Sequence, residues 1–319
     1  MRATRIARRF YIDGASKTEI AAETGLSRFK VARILEEAQS MGLVEVIVRL
    51  PADIDPDLSL QLSERYQPVE AVVITVADES VSAMRDAVAR SAADLLSEVL
   101  TEQDVLGLTC SHTVAAATLA LSRLAPCRVV QLSGTLAGPE IEAGSVESVR
   151  RAAPVGGGKA FPIYAPMLLP DAATAQTLTE QPTIRRAIEE FGTVSVAMVA
   201  VGKWAPGLST IWDSAKPEEL SQLSSGGAVG EIAGRVFDSE GAAVPSALDD
   251  RVLSIGLDQL RRIPGVIGIA HDARRSPAVQ AALTGRLVDY LVCDAGLARA
   301  LLAEEPASAE AGGRIKVVR

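Results

Sequence analysis

The first part of the chain has apolar residues at helical spacing. Over residues 28–41 they fall three or four positions apart, which predicts one buried helix face made of Val31, Ile34, Leu35, Ala38 and Met41. A shorter helix is predicted before it, from Lys17 to a glycine turn at 24–26, and Ser27 is placed to cap the later helix. An upstream amphipathic helix completes a three-helix unit, with a small core expected from Ile6, Phe10 and Ile12.

The later helix of this unit has its cations near its start. At about 100° per residue, Phe29, Lys30 and Arg33 point away from the apolar face, with Arg28 at its edge. A short helix, a glycine turn and a longer helix with basic N-terminal residues is the helix-turn-helix pattern, whose second helix enters the DNA major groove. The alternative is an ordinary antiparallel helix pair with a solvated charged face.

From residue 69 onward, short apolar runs alternate with amphipathic helical stretches. The predicted strands are 69–76, 104–108, 128–132, 194–201, 266–270 and 289–294, with a weaker one at 160–164. The predicted helices are 80–100, 113–124, 144–152, 172–190, 217–224, 275–286 and 294–303. This alternation predicts an α/β fold, a doubly wound, Rossmann-like parallel sheet covered by helices on both faces.

A break in the pattern separates the two parts. Residues 44–50 alternate like a strand, which predicts a wing on the helical unit, and residues 51–57 then hold two prolines and three acids. We therefore expect a helix-turn-helix DNA-binding domain at 1–52. The region 53–319 is expected to form an effector-binding and oligomerisation domain, in which residues 58–66 read as a connecting helix.

Charge and composition support this division. Residues 1–49 have nine Lys or Arg and six Asp or Glu, and subtracting this +3 from the −8 of the whole chain leaves −11 for the remainder. A basic end on an acidic body is typical of a DNA-binding module attached to another domain. The chain has three cysteines without a disulfide or metal-ligand spacing, two histidines, and no apolar run long enough to span a membrane. We therefore expect a cytoplasmic protein without a disulfide framework, metal site or cofactor.

Small polar residues follow the second predicted strand, in the segment GLTCSHT at 107–113. At a strand-to-helix turn such residues present backbone N–H groups to an anion, which the helix dipole also favours. The expected phosphate-binding residues are Thr109, Cys110, Ser111, His112 and Thr113. A capped helix without a ligand is the alternative, and nucleotide binding is not supported because GxGxxG and Walker A patterns are absent from the sequence.

Other polar residues fall at the ends of further strands. Because the carboxyl ends of parallel strands face one crevice, these residues are candidates for a pocket that binds a phosphorylated polyol. They are Gln131, Ser133, Gly134, Lys203, His271 and Arg275, and Asp249 joins them from a loop that precedes VLSIG. For each one taken alone, a solvated loop residue is the alternative.

Several segments together resemble one family. They are SKTEIAAETGLSRFKVARILEEAQSMGLVEV, YAPMLLPD, VAVGKW, GAVGEIAGRVFDSEG, LDDRVLSIGLDQLRRIP and GRLVDYLVCDAGLARALL. Over nearly its full length the chain resembles the SorC/DeoR-type sugar-binding transcription regulators of bacteria. The resemblance implies an effector domain related to sugar-phosphate isomerases, which usually tetramerises and binds a phosphorylated sugar or related metabolite. It places the family's phosphate-gripping loop on residues 109–113. It places the pocket-lining loops on 131–134, on Gly202 to Trp204, on Asp249 and Asp250, and on 271–275.

The function expected from these features is regulation of a carbohydrate operon by an effector-controlled DNA-binding protein that forms an even-numbered homo-oligomer, a dimer or tetramer. Phe29 is a candidate for a thymine methyl contact, although it could equally pack against the second helix. The remaining DNA-binding candidates are Lys17, Thr18, Ser27, Arg28, Lys30 and Arg33, with the two arginines suited to guanine edges or phosphates. The alternative is a sugar-phosphate isomerase-like enzyme with an appended helix-turn-helix, for which Asp249, Asp250 or His271 beside Lys203 would supply acid and base groups.

Overall fold

The structure is a computed structural model of the 319-residue chain, and it describes residues 2–44, 53–77, 80–136, 145–209 and 211–304. The chain divides into two compact units, Met1–Ala52 and Asp53–Arg319. No helix in the described part of the chain combines the length and the apolar character that crossing a membrane requires.

The first unit consists of three helices. They are α1 (Arg2–Tyr11), α2 (Lys17–Thr24) and α3 (Arg28–Ser40). Ser16 begins α2 with a capping box, since its hydroxyl accepts from the Glu19 N–H while the Glu19 carboxylate accepts from the Ser16 N–H. Gly25 ends α2 in the left-handed conformation at φ 67°, and Ser27 caps α3, so the predicted helix-turn-helix is confirmed at its turn.

The core of the first unit differs from the prediction at two positions. Ile6, Val31, Leu35 and Ala38 are buried and Phe10 is half-buried, as expected. Ile12 is 76% exposed because α1 ends one residue earlier, and Met41 is 62% exposed because α3 ends at Ser40. The predicted wing at 44–50 lies, except for Val44, outside the described residues.

The second unit is built on a seven-stranded, wholly parallel sheet, which confirms the predicted α/β class. Its strands are β1 (Glu70–Ile74), β2 (Val105–Leu108), β3 (Arg128–Gln131), β4 (Ala160–Phe161), β5 (Val196–Ala200), β9 (Gly265–Ala270) and β10 (Tyr290–Asp294). Their order across the sheet is β1-β10-β9-β5-β2-β3-β4. From β2 the chain adds β3 and β4 on one side, and from the neighbouring β5 it adds β9 and β10 on the other. The pair β2 and β5 is therefore the topological switch point of the sheet.

Helices cover both faces of the sheet. In chain order they are α4 (Pro56–Arg65), α5 (Val81–Val99), α6 (His112–Ala120), α7 (Ser145–Val155), α8 (Ala172–Thr179), α9 (Pro182–Glu189), α10 (Pro217–Ser225), α11 (Leu257–Leu260), α12 (Ser276–Thr284) and α13 (Ala295–Ala303). Along β5, Val196 and Met198 pack with α5, α6 and α7, whereas Ala197 and Val199 belong to the core with α4, α12 and α13. This period of two is what a parallel sheet buried on both faces requires.

The outer edge of β1 is covered by its own chain. The N–H groups of Ala71 and Val73 donate to the hydroxyls of Ser63 and Ser59 on α4, each at 2.9 Å. The N–H of Asp55 donates to the Val73 carbonyl at 2.8 Å. Two helix serines therefore satisfy donors that an open sheet edge would leave exposed.

Three short strands were missed by the sequence prediction. They are β6 (Gly202–Lys203), β7 (Gly230–Ile232) and β8 (Arg235–Phe237), which form a separate antiparallel sheet in the order β6-β7-β8. The helix predicted at 172–190 is also interrupted, because Pro182 begins a new helix after Thr179. The small sheet lies between β5 and β9 in sequence and follows directly from the switch-point strand β5.

Candidate functional site

The N-terminal end of α3 is an exposed basic surface. The Ser27 hydroxyl accepts from the Lys30 N–H at 3.2 Å, so it fixes the start of the helix. Arg28, Phe29, Lys30 and Arg33 are all exposed, as is Thr18 on α2. Lys17 is half-buried, with its ammonium 5.6 Å from the centre of the Phe10 ring. Six of the seven predicted DNA-binding residues are thus exposed at the surface.

Phe29 does not pack against the second helix. Its side chain is 87% exposed, which removes the packing alternative left open by the sequence. Arg33 has its Nε 3.3 Å from Glu37 Oε1 on the solvent side of α3. Arg9, by contrast, is held by Glu23 and Asp13, and therefore joins α1 to α2.

The second candidate site begins at the turn from β2 to α6. Ser111 caps α6 by accepting from the Val114 N–H at 3.0 Å, and Thr109, Cys110, Ser111 and Thr113 are buried. His112 is half-buried. The Thr109 N–H donates to the Met198 carbonyl at 3.3 Å, so the turn is attached to β5 across the switch point. The helix N-terminus therefore faces the position at which doubly wound sheets bind ligands.

The loop after β3 supports this turn. The Ser133 hydroxyl accepts from the Cys110 N–H at 2.9 Å. The Gln131 amide donates to the Ser133 carbonyl at 2.7 Å and accepts from the Ile163 N–H at 3.0 Å. A Cβ on Gly134 would lie 2.5 Å from the Met167 backbone nitrogen, so only glycine fits there. Gln131 and Ser133 thus make hydrogen bonds that hold the loops in place.

His271 and Arg275 follow β9. Burial, and then the nearby Arg275 charge, lower the pKa of His271 to about 4, so the imidazole is neutral at pH 7. The Arg275 guanidinium donates to the His271 carbonyl at 2.9 Å and is 16% exposed, and burial lowers its pKa from the usual value. Asp272 holds Arg274 in a salt bridge and adopts a positive φ of 81°. The crevice end of β9 therefore places Arg275, which lies 3.9 Å from the Asp272 carboxylate, beside a neutral imidazole.

Lys203 and Asp249 lie in different surroundings. Lys203 is half-buried on β6, next to the end of β5. Asp249 accepts from the Arg235 guanidinium at 3.2 Å and from the Ser246 N–H at 3.0 Å, which ties it into its own turn. Asp249 and Arg235 line a separate cleft of about 260 Å³.

Two buried residues near the crevice come from the region of the small sheet: Glu231 was missed by sequence reasoning, and Trp204 was reached only through the family resemblance. Trp204 is 6% exposed and packs edge-on against Trp212 with ring centres 4.9 Å apart. Glu231 is 2% exposed, accepts from the Gly234 N–H at 2.8 Å and lies against Gly202. Trp204 directly follows β6 and Glu231 lies on β7, and in the sequence they stand in VAVGKW and GAVGEIAG.

Unpaired buried polar atoms concentrate beside this crevice. Among the described residues, three buried side-chain atoms lack a hydrogen-bond partner, namely Trp204 Nε1, His271 Nδ1 and Arg65 Nε. The first two follow β5 and β9, which are adjacent strands joined at their ends by the Val201 N–H and the Ile269 carbonyl at 3.1 Å. Buried side-chain donors and acceptors without a partner are rare in native structures.

Comparison with known proteins gives one consistent result. Residues 53–303 match the family model of the sugar-binding domain, Sugar-bind. The deoxyribonucleoside regulator of Bacillus subtilis is 28% identical over 93% of this chain and 95% of its own length. The sorbitol operon regulator of Klebsiella pneumoniae is 26% identical over 93% of this chain and 96% of its own length.

Solved structures show the same fold. The full-length sorbitol operon regulator SorC of Klebsiella pneumoniae superposes with a TM-score of 0.73 at 22% identity, covering 94% of this chain and 97% of that one. A DeoR family regulator of Listeria monocytogenes superposes with a TM-score of 0.68 at 24% identity, covering 77% and 98%. These relatives are transcriptional regulators, which supports the regulator over the enzyme alternative. The chain therefore belongs to the sugar-binding domain family of SorC/DeoR-type transcriptional regulators.

Proposed function

We propose that this regulator binds operator DNA through α3 and is controlled by a phosphorylated sugar bound at the crevice of its second unit. The relatives named for deoxyribonucleosides and for a sorbitol operon support a small carbohydrate-derived effector. We further propose that it works in the cytoplasm as a dimer or tetramer on a carbohydrate-metabolism operon.

The proposed DNA-binding residues are those at the start of α3 and on α2. Arg28, Lys30, Thr18 and Lys17 suit contacts to phosphates, while Phe29 and Arg33 project from the centre of the exposed face and Ser27 fixes its first turn. An oligomer would present two such helices to half-sites about one DNA turn apart.

The observation that most supports effector binding is the capped start of α6 at the switch point. The turn 109–113 offers backbone N–H groups and hydroxyls to a phosphate, and Arg275 adds a cation from β9. Lys203, His271 and the loop at Gln131, Ser133 and Gly134 would surround the sugar. Asp249 is the least supported member, because its carboxylate already binds Arg235.

A thermal-shift comparison tests effector binding. Sugar phosphates, the corresponding free sugars and inorganic phosphate are each added to the full-length protein. A true effector at 100 times its dissociation constant stabilises the folded state by about 2.7 kcal/mol. The variant Thr113→Val, which replaces one hydroxyl of the turn by a methyl group of similar size, should weaken this shift. Thr193→Val is the matched control, since Thr193 precedes β5 at the opposite end of the sheet.

The coupling of the two units is tested by DNA binding with and without the effector. By thermodynamic linkage the effector changes DNA affinity by the same factor as DNA changes effector affinity. A factor clearly different from one, and the same in both directions, would support the proposal, whereas a factor of one would show that the two units are not coupled. If no sugar phosphate stabilises the protein more than its free sugar does, the proposed effector class is wrong.

A further inference from the structure

Phe29 is the one exposed phenylalanine of the chain. All five phenylalanines lie within the described residues; Phe191 and Phe237 are buried, and Phe10 and Phe161 are half-buried. Phe29 is 87% exposed, although it sits in the capped first turn of a well-formed helix. An aromatic ring held at such a place is available to a partner.

The buried face of α3 fixes the direction in which Phe29 points. At 100° per residue, Phe29 lies about 160°, 120° and 180° away around the helix from the buried residues Val31, Leu35 and Ala38. Arg33, one turn later, lies only about 40° from Phe29. Phe29 and Arg33 therefore form the outermost line of the helix.

The residues beside Phe29 indicate what kind of partner binds there. Arg28 and Lys30 lie about 100° to either side of the ring, and both are exposed cations. A second copy of this surface would bring like charges together, whereas a DNA duplex would place phosphates on both sides and base edges in the middle. The charge pattern thus favours the major groove.

Within the major groove, an apolar ring has one suitable target. Adenine, guanine and cytosine present hydrogen-bonding groups there, and a phenyl ring pressed against them would remove water without replacing it. Thymine presents a C5 methyl group, which gains from apolar contact. From this geometry, and on the basis of the proposed DNA-binding function, we infer that Phe29 contacts a thymine methyl in each operator half-site and so determines sequence preference.

The test isolates the methyl group. A duplex is first selected from random-sequence DNA by the full-length protein, and each thymine is then replaced in turn by uracil, which lacks only that methyl. We expect one thymine per half-site at which uracil weakens binding about fourfold, since one buried methyl contributes about 0.8 kcal/mol. Replacing the sensitive thymine by uracil in both half-sites should weaken binding about fifteenfold. A duplex with 5-methylcytosine at that position should be bound more tightly than one with cytosine.

Variants assign the effect to Phe29. Phe29→Ala should bind the thymine and uracil duplexes equally while keeping the wild-type dependence on salt, because the ring neutralises no phosphate. Arg28→Ala should instead reduce the slope of log affinity against log salt concentration by about one, the value for one lost phosphate contact, and it should keep the preference for thymine. Ile12→Ala removes another exposed apolar residue of the first unit and should change neither property. Thermal melting of each variant checks that it is folded.

Several results would overturn the inference. It fails if no thymine is sensitive to uracil, if Phe29→Ala keeps the wild-type ratio of the two affinities, or if Phe29→Ala dissociates the oligomer, which would make the ring a protein contact. If the full-length protein selects no DNA and shows no salt-sensitive binding, the proposed DNA-binding function fails together with it. If binding is salt-sensitive and sequence-specific but is unaffected by removal of any thymine methyl, only the role of Phe29 is rejected.

Discussion

The buried ion pair between Glu219 and Arg251 should be one of the most sensitive points in the second unit. Their side chains are 5% and 7% exposed, and the guanidinium donates to both carboxylate oxygens at 2.7 and 2.6 Å. Arg251 also donates to the Leu169 carbonyl at 2.8 Å, and Glu219 accepts from the Lys216 N–H at 2.7 Å. Removing either partner leaves a buried charge without its counter-ion.

We expect Glu219→Leu and Arg251→Met each to lower the free energy of unfolding by about 3–5 kcal/mol. The double variant should lose less than either single one, since a buried apolar pair of similar volume has no unpaired charge. The surface pair Arg185 and Glu189 is the control: both side chains are more than half exposed, and Glu189→Gln should cost less than about 1 kcal/mol.

Urea unfolding followed by tryptophan fluorescence measures these effects, because both tryptophans lie in the second unit. Protein concentration is held constant, since association changes apparent stability. The Arg251 hydrogen bond lowers the pKa of Glu219 below its usual 4.5. The stabilisation from this pair is therefore complete above pH 4.5 and is lost as pH falls through the lowered pKa.

Two results would refute this reasoning. If each single variant costs less than about 1 kcal/mol, the pair is not desolvated to the extent that its burial indicates. If the double variant costs the sum of the two single ones, the groups act independently and the pair does not couple.

Three further predictions concern the crevice and the sheet edge. Gly134→Ala should destabilise the second unit by about 1–3 kcal/mol, because its Cβ would meet the Met167 backbone at 2.5 Å; an unchanged melting temperature would contradict this. Between pH 6.5 and 4 the free energy of unfolding of the wild-type protein should fall by about 3 kcal/mol through His271, because its folded pKa is about 4 and the unfolded state therefore takes up the proton first. In urea unfolding, His271→Gln should show a correspondingly shallower dependence of this free energy on pH, and equal slopes would refute the prediction. Ser63→Ala should lower the free energy of unfolding by about 1–3 kcal/mol, because it leaves the Ala71 N–H without its acceptor. The Ala71 amide hydrogen should then exchange with solvent faster than in the wild type.

The sheet was predictable because most of its strands contain a run of apolar residues. The buried residues of β5 and β10, for example, differ sharply from the polar turns that flank them. The small antiparallel sheet was not predictable, since β6, β7 and β8 have only two or three residues each and include polar side chains. A period of two cannot be recognised over so few positions.

The candidate site was partly predictable for a related reason. The rule that strand ends converge predicted, without any knowledge of side-chain contacts, that the turn at 109–113 and Arg275 follow strands at the same end of the sheet. It could not identify Glu231, whose position depends on the unpredicted sheet, and Trp204 came only from the family resemblance. It also could not show that the nitrogen and the oxygen of the Gln131 side-chain amide both form hydrogen bonds to backbone groups, because these bonds depend on the path of two loops.

The pairing of β1 with β10 has a consequence for biosynthesis. Glu70 lies opposite Tyr290, so β1 leaves the ribosome 220 residues before the strand that completes it. At about 5–20 residues per second, this delay is on the order of 10 to 40 s. During that time the nascent β1 has an unfilled side, and a chaperone or a neighbouring nascent chain can reach it before the C-terminal part arrives.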